Sequence, residues 1–201
     1  MAVKFQYNKT SLQGLDKALK MREKSLPTIK SKEQALRLEV KRAKDEEKKL
    51  EAHLDSKTRE LDSFISIWSE FDTSLVRIDD IKLSKKKIAG VGVPILDAVE
   101  FSVRPFSLFS SPAWFMEGAQ LLKDLARVGV EIEVFSTKAD LLEYARKKTT
   151  QKVNLFEKVQ IPGYKEAIMK IKRFLEDEEN LSKAAQKIVK DRHEKENKSE
   201  S

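Results

Sequence analysis

Apolar residues recur at alternating steps of three and four through the first part of this chain without losing phase. The series runs Leu12, Leu15, Leu19, Arg22, Leu26, Ile29, Glu33, Leu36, Val40, Ala43, Glu47, Leu50, Leu54, Lys57, Leu61, Phe64, Trp68, Phe71, Leu75 and Ile78. Sixteen of these twenty positions are apolar. A repeat averaging 3.5 residues keeps one stripe of a helix turned toward a partner, which is the pattern of a coiled-coil seam. Chance clustering of apolar residues would drift out of register within a few turns. The repeat therefore predicts a helical arm over residues 1–83 that cannot bury its stripe alone. Asn8, Thr10 or Ser11 can cap its start. Pro27 lies inside it and should cost about 3 kcal/mol by removing one internal hydrogen bond and crowding the preceding turn. Because the seam keeps its phase across the proline, a kink near Arg22–Pro27 is expected there, not a loop.

A second seam starts at Leu121 and continues through Leu125, Val128, Ile132, Phe135, Ala139, Leu142, Arg146, Thr149, Val153 and Phe156. It resumes at Tyr164, Ala167, Ile171, Phe174, Glu178, Leu181, Ala185 and Ile188. Between Phe156 and Ala167 the steps become 4, 4 and 3 through Gln160 and Tyr164, a stutter that locally unwinds a left-handed supercoil. Ile161-Pro162-Gly163 falls at that place, and both proline and glycine loosen a helix. The second arm is expected over 117–193, followed by a polar tail at 194–201. Arms of about 70 and 75 residues would each reach roughly 100 Å at 1.5 Å per residue. Near-equal arms imply an antiparallel pair with both termini at one end.

The connecting segment, 84–116, reads differently. Ile88-Ala89-Gly90-Val91-Gly92-Val93-Pro94-Ile95-Leu96 and Val99-Glu100-Phe101-Ser102-Val103 alternate with period two and carry β-branched residues and glycines. They predict one or two short strands in a hairpin-like or irregular segment. Pro105 and Pro112 bracket an apolar loop from Phe106 to Phe115. The fold class is thus mainly α: a long antiparallel two-helix coiled coil with a short middle element.

Composition supports long helices and narrows the chemistry. Of 201 residues, 36% are charged, and only 6 are glycine and 5 proline. There is no cysteine, which removes disulfides and thiolate metal ligands. His53 and His193 stand far apart among charges, so no metal site is assigned. Phosphate-cradling, nucleophile-elbow and zinc-protease motifs are missing, and Gly90-x-Gly92 is read as a turn or bulge. Neither a catalytic residue nor a cofactor is expected. Trp68 and Trp114 are read as packing residues. The longest uncharged run, Pro105 to Met116, is too short to cross a bilayer, and the first residues lack a signal-peptide core. A cytoplasmic protein without a membrane span is expected. The net charge of +7 suits acidic protein partners, an anionic membrane face or nucleic acid. For nucleic acid the interleaved aromatic residues or a known module are missing. Two basic clusters, Lys85–Lys87 and Arg146-Lys147-Lys148 with Lys152, are either solvated surface or contacts to a protein partner or an anionic surface.

The run Lys147-Lys148-Thr149-Thr150-Gln151-Lys152-Val153-Asn154-Leu155-Phe156-Glu157-Lys158-Val159-Gln160-Ile161-Pro162-Gly163 resembles the C-terminal signature of the V-type ATPase D-subunit family, T-x-x-V-N-A-L-E-x-V-x-I-P. Thr150, Val153, Asn154, Glu157, Val159, Ile161 and Pro162 match it, while Leu155 and Phe156 replace the usual Ala-Leu and stay apolar. Gly90 to Leu96 resembles the family's G-x-x-V-P segment, and Thr10–Leu19 with Lys30–Leu36 resembles its first helix. Pro27 departs from the pattern, as does the missing proline near the first helix start. The resemblance implies a non-catalytic rotor-shaft component of a V-type ATPase or ATP synthase, peripheral to the cytoplasmic membrane face. Its implied partners are a hexamer of A and B subunits, the F subunit, and the adaptor of the membrane rotor ring. It also implies partner contacts near the signature, at Arg146, Lys147, Lys148, Thr150, Val153, Asn154, Glu157, Ile161 and Pro162. Competing readings are a cytosolic coiled-coil tether or chaperone arm, and a basic nucleic-acid-binding coiled coil.

Overall fold

A computed structural model describes residues 4–62, 73–105 and 114–199. The elements are helix α1 (Lys9–Asp62), a short 3-10 turn (Thr73–Leu75), strands β1 (Val76–Ile88) and β2 (Val91–Val103), helix α2 (Phe115–Asn154), a π-helical turn (Leu155–Gln160) and helix α3 (Ile161–Ser199). The chain divides into two compact units, residues 1–31 with 149–201, and residues 32–148. Three seam positions expected in the first arm, Phe64, Trp68 and Phe71, lie outside the described residues, as do Phe106 to Ala113 of the apolar loop and the first three residues.

α1 begins where the sequence offers a cap. The Asn8 side-chain oxygen accepts a hydrogen bond from the Ser11 amide at 2.6 Å, satisfying one of the donors a helix start leaves open. The Ser11 hydroxyl accepts in turn from the Gln6 amide at 3.3 Å. The helix then runs unbroken through Pro27. Every seam position from Leu12 to Lys57 is buried or half-buried, including the polar Arg22, Glu33, Glu47 and Lys57. The 3.5-residue repeat therefore identifies the inward face residue by residue.

In the unit formed by residues 1–31 and 149–201, α1 and α3 pack antiparallel around Leu15, Ala167, Ile168 and Ile171. Leu12, Leu19, Tyr164 and Leu175 flank this core, and Phe5 closes it from the N-terminal segment. Two ion pairs bridge the two sides, Lys30 to Glu157 at 2.7 Å and Lys165 to Glu23 at 2.9 Å. Tyr7 lies against Phe174, ring centres 4.9 Å apart. Beyond this point the expected seam is not buried. Phe174, Leu181 and Ile188 are 45%, 72% and 55% exposed. The reason is geometric: α1 starts at Lys9, and its first turns are already spent against Ile171 and Leu175. The last turns of α3 face no helix among the described residues. α3 continues to Ser199, through most of the polar stretch expected at 194–201.

In the unit of residues 32–148 the core has three contributors. Leu36, Val40 and Ala43 of α1 meet Ala139 and Leu142 of α2, and Val93 of β2 is buried among them. Ile88, Ala89 and Val91 at the hairpin tip pack on the same cluster. A second cluster joins Leu75 and Val76 at the hairpin base to Trp114, Phe115, Ala119 and Leu122 at the start of α2.

The first helical arm ends earlier than the seam suggests. Leu75 sits in the 3-10 turn, and Ile78 lies within β1, which pairs antiparallel with β2 over 13 residues each. Val76 with Ile78, and Ile81 with Leu83, keep a strand's step of two, while the step of three between the pairs falls at the register shift that leaves Asp79 unpaired; strand pairing with β2 decides the outcome. The middle element is therefore a hairpin longer than the short strands expected at 84–116. Asp79 and Asp97 fall at its two register shifts. Each carboxylate accepts a hydrogen bond from a serine hydroxyl across the ladder, Ser102 to Asp79 at 2.8 Å and Ser84 to Asp97 at 2.9 Å.

The hairpin turns on Ala89-Gly90, with φ of 49° and 79°. Two positive values are the pattern of a type I′ turn, which matches the twist of the strands and favours Asn-Gly. Ala89 occupies the left-handed region with a Cβ that disfavours it. Ala89→Asn keeps the Cβ and supplies the preferred residue. It should raise stability by about 0.5–1 kcal/mol, read as a higher urea midpoint with unchanged slope.

Candidate interaction surfaces and family membership

The signature region, residues 147–163, straddles the end of α2, the π-helical turn and the start of α3. The turn has a physical cause in the sequence. Pro162 has no amide proton to give the Lys158 carbonyl, and its ring would crowd that carbonyl in a regular α-helix. The chain instead opens one wide turn, in which the Ile161 amide donates to the Phe156 carbonyl five residues back. This is where the 4, 4, 3 spacing calls for local unwinding.

Across the helix pair, Arg22 fills the wide turn's inner side. Its Nε donates to Gln160 Oε1 at 2.7 Å, and its Nη1 donates to the Ala18 carbonyl at 3.1 Å. The guanidinium lies 4.8 Å from the Tyr164 ring centre and 5.9 Å from that of Phe156, within the range of cation–π attraction. Lys152 Nζ also lies over the Phe156 ring, 5.8 Å from its centre. No sequence motif marks Arg22, Gln160 and Tyr164 as a group. The one signal for them is that Arg22 and Gln160 are both polar positions in mainly apolar seams.

The residues expected to touch partners fall into two sets. Thr150, Val153 and Ile161 are half-buried, Val153 as part of the seam itself, whereas Lys147, Lys148, Asn154, Glu157 and Pro162 are exposed. Glu157 is already engaged with Lys30, and Lys148 lies 5.5 Å from the Tyr144 ring centre. Arg146 is partly buried and grips Glu143 with two hydrogen bonds, Nη2 to Oε1 at 2.6 Å and Nε to Oε2 at 2.9 Å.

That pair has a pH signature. The Arg146 hydrogen bonds hold the Glu143 carboxyl below its ordinary value of 4.5, against a smaller opposing push from burial. A carboxyl with a lowered folded-state pKa stabilises the fold above its unfolded value and loses that contribution as pH falls through the folded value. Glu143→Gln should therefore cost about 0.3–0.5 kcal/mol at pH 7, as for other pairs one helical turn apart. The difference from wild type should shrink below pH 4.5 and vanish once the native carboxyl is protonated. Urea midpoints measured against pH test this.

Other surface features are open grooves. One of about 310 Å³ runs between β2 and α2, lined by Pro94, Ile95, Leu96, Val134 and Phe135, with Glu131 and Lys138 at its polar edge. Ile78, Ile81 and Leu83 of β1 are 37%, 39% and 52% exposed. Among the described residues no three His, Asp or Glu side chains gather as metal ligands. No helix among them is long and apolar enough to cross a membrane.

Two long helices that pair antiparallel within each unit, with a β-hairpin between them in the chain, define the coiled-coil class. At the level of family, the model for the ATP synthase D subunit matches residues 11–191, and the chain belongs to that family. It is 31% identical to the V-type ATP synthase D subunit of Borreliella burgdorferi over 190 residues, covering 93% of this chain and 94% of that protein. It is 28% identical to the V-type ATP synthase D subunit of Chlamydia muridarum, covering 94% and 96% respectively.

Proposed function

We propose that this chain is the central shaft of a V-type ATPase or ATP synthase and couples ATP turnover in a hexamer of A and B subunits to ion movement across the membrane. On this reading it carries out no reaction itself. It lies at the cytoplasmic face of the membrane, held by the F subunit at its side and by the adaptor of the membrane rotor ring. Family membership supports the complex, and one further observation supports the role. The outer turns of α3 carry Leu181, Ile188 and Val189, which are 72%, 55% and 54% exposed. Apolar side chains on a helix that no other helix faces among the described residues suit a tip that turns inside an apolar sleeve, where close, weakly directional contacts permit sliding. Lys147, Lys148 and Asn154 serve as partner-facing groups, and exposed cations suit this because each surface ion pair contributes only about 0–1 kcal/mol. A rotor then favours a different state at each catalytic interface by differential contact energy.

The test is reconstitution. The chain should co-purify with the A, B and F subunits, and removing it should uncouple ATP turnover from ion transport. The pair Leu181→Asp with Ile188→Asp should leave the isolated chain's unfolding midpoint unchanged and cut coupled transport at least tenfold. A chain absent from the purified ATPase, or full coupling with both aspartates in place, would count against the shaft.

A further inference from the structure

Within the unit of residues 1–31 and 149–201, both helices are weakened at one level. Pro27 removes an amide donor from α1, and Pro162 removes one from the facing chain just after the π-helical turn. Lys30–Glu157 above and Glu23–Lys165 below place the two prolines at neighbouring heights on the antiparallel pair. Regular α-helix resists bending and twisting through its hydrogen-bond ladder, so a level where both ladders lack a rung is the softest place in the pair. π-turns and prolines are also the usual sites of sharp helix kinks. Arg22 spans this level by a hydrogen bond to Gln160 and by its guanidinium over the Tyr164 and Phe156 rings, while a bond to the Ala18 carbonyl ties it back to its own helix.

We propose that Pro27, Pro162 and the π-turn form a joint in the paired helices, and that Arg22 is the positioning residue that clamps it in one alignment. The joint rests on local geometry and is independent of the rotary role. The neighbouring seam positions of α1, Leu15, Leu19, Leu26 and Ile29, are all apolar, and an apolar residue at position 22 would continue them. Arg22 instead supplies a planar, directional group that reads the hydrogen-bond acceptor Gln160 and two ring faces together. An apolar side chain of similar volume fills space without fixing rotation about the helix axis. Lysine is not an equivalent, because its ammonium is a point charge that lacks the planar fork.

The absence of cysteine in the chain allows clean spin labelling at two introduced sites. Gln151 and Lys172 are exposed and flank the π-turn on one continuous helical stretch. Labels there should give a narrow distance distribution in the full-length protein. Arg22→Met should at least double its width or add a second maximum, with far-ultraviolet dichroism retained. Arg22→Lys should behave like the methionine variant. Replacing both Pro27 and Pro162 by alanine in the Arg22→Met background should narrow the distribution again, because the ladders are then complete. Should Arg22→Met not fold, Gln160→Leu removes only the acceptor and should broaden the distribution to a smaller degree. Unchanged width in every folded Arg22 or Gln160 variant overturns the clamp. Broadening that persists without the prolines overturns the joint. Because the readout comes from the chain alone, either outcome is separable from any failure of coupling in the assembled ATPase.

Discussion

Ile171→Ala should lower the free energy of unfolding by about 3 kcal/mol, while Ile188→Ala should change it by less than about 0.5 kcal/mol. The two isoleucines share a residue type, a helix and a seam. Ile171 is fully buried between Leu15, Ala167 and Ile168, so truncation loses the transfer energy of the removed carbons and leaves a cavity. A two-helix packing can relax around such a gap, which keeps the cost in the lower part of the observed range of about 2–5 kcal/mol. Ile188 is 55% exposed, and its truncation mostly trades one solvated surface for another. Urea unfolding followed by far-ultraviolet dichroism checks both. Equal costs at the two positions would mean that α3 has a packing partner along its whole length.

This contrast marks what the sequence could and could not convey. The inward face of α1 was readable because a 3.5-residue repeat fixes a direction around the helix, and even Arg22, Glu33 and Glu47 followed it. The repeat says nothing about whether a partner reaches that far along the axis, and Leu181 and Ile188 continue the stripe without being buried. Ile78 erred in the other direction. In the segment Val76-Arg77-Ile78-Asp79-Asp80-Ile81 the step of three from Ile78 to Ile81 continues a helical seam and hides the register shift at Asp79, and long-range pairing with Phe101 and Val99 selects the strand. The stutter before Pro162 was legible because a missing amide and a changed spacing coincide, and the π-turn is their joint result. Its clasp by Arg22 was harder to see, since it joins residues 138 positions apart. In the sequence Arg22 and Gln160 both show only as polar positions in mainly apolar seams. The family signature located the right stretch of chain, yet several of its residues, Val153 and Ile161 among them, are at least half-buried in this fold.

Leu36→Ala and Val93→Ala should each destabilise the unit of residues 32–148, by about 3 and 2 kcal/mol, and their effects should not add. Both side chains are fully buried, and they belong to one cluster although one lies on α1 and the other on β2. If the hairpin tip merely lay on a finished helix pair, truncating Val93 would cost little more than its own transfer energy. It would also leave the Leu36 effect untouched. Ala139 and Ala43 argue otherwise: these small residues face the cluster from both helices, leaving a hollow between α1 and α2 that Val93 occupies, with Ile88 and Val91 beside it. Removing either Leu36 or Val93 lets the other shift into the vacated space. The double variant should therefore cost about 0.5–1.5 kcal/mol less than the sum of the singles, a coupling typical of residues in contact. Strict additivity would show the hairpin to be an appendage. Coupling makes it the third wall of the core, which explains why a chain of this fold keeps its longest non-helical element folded back onto its helices.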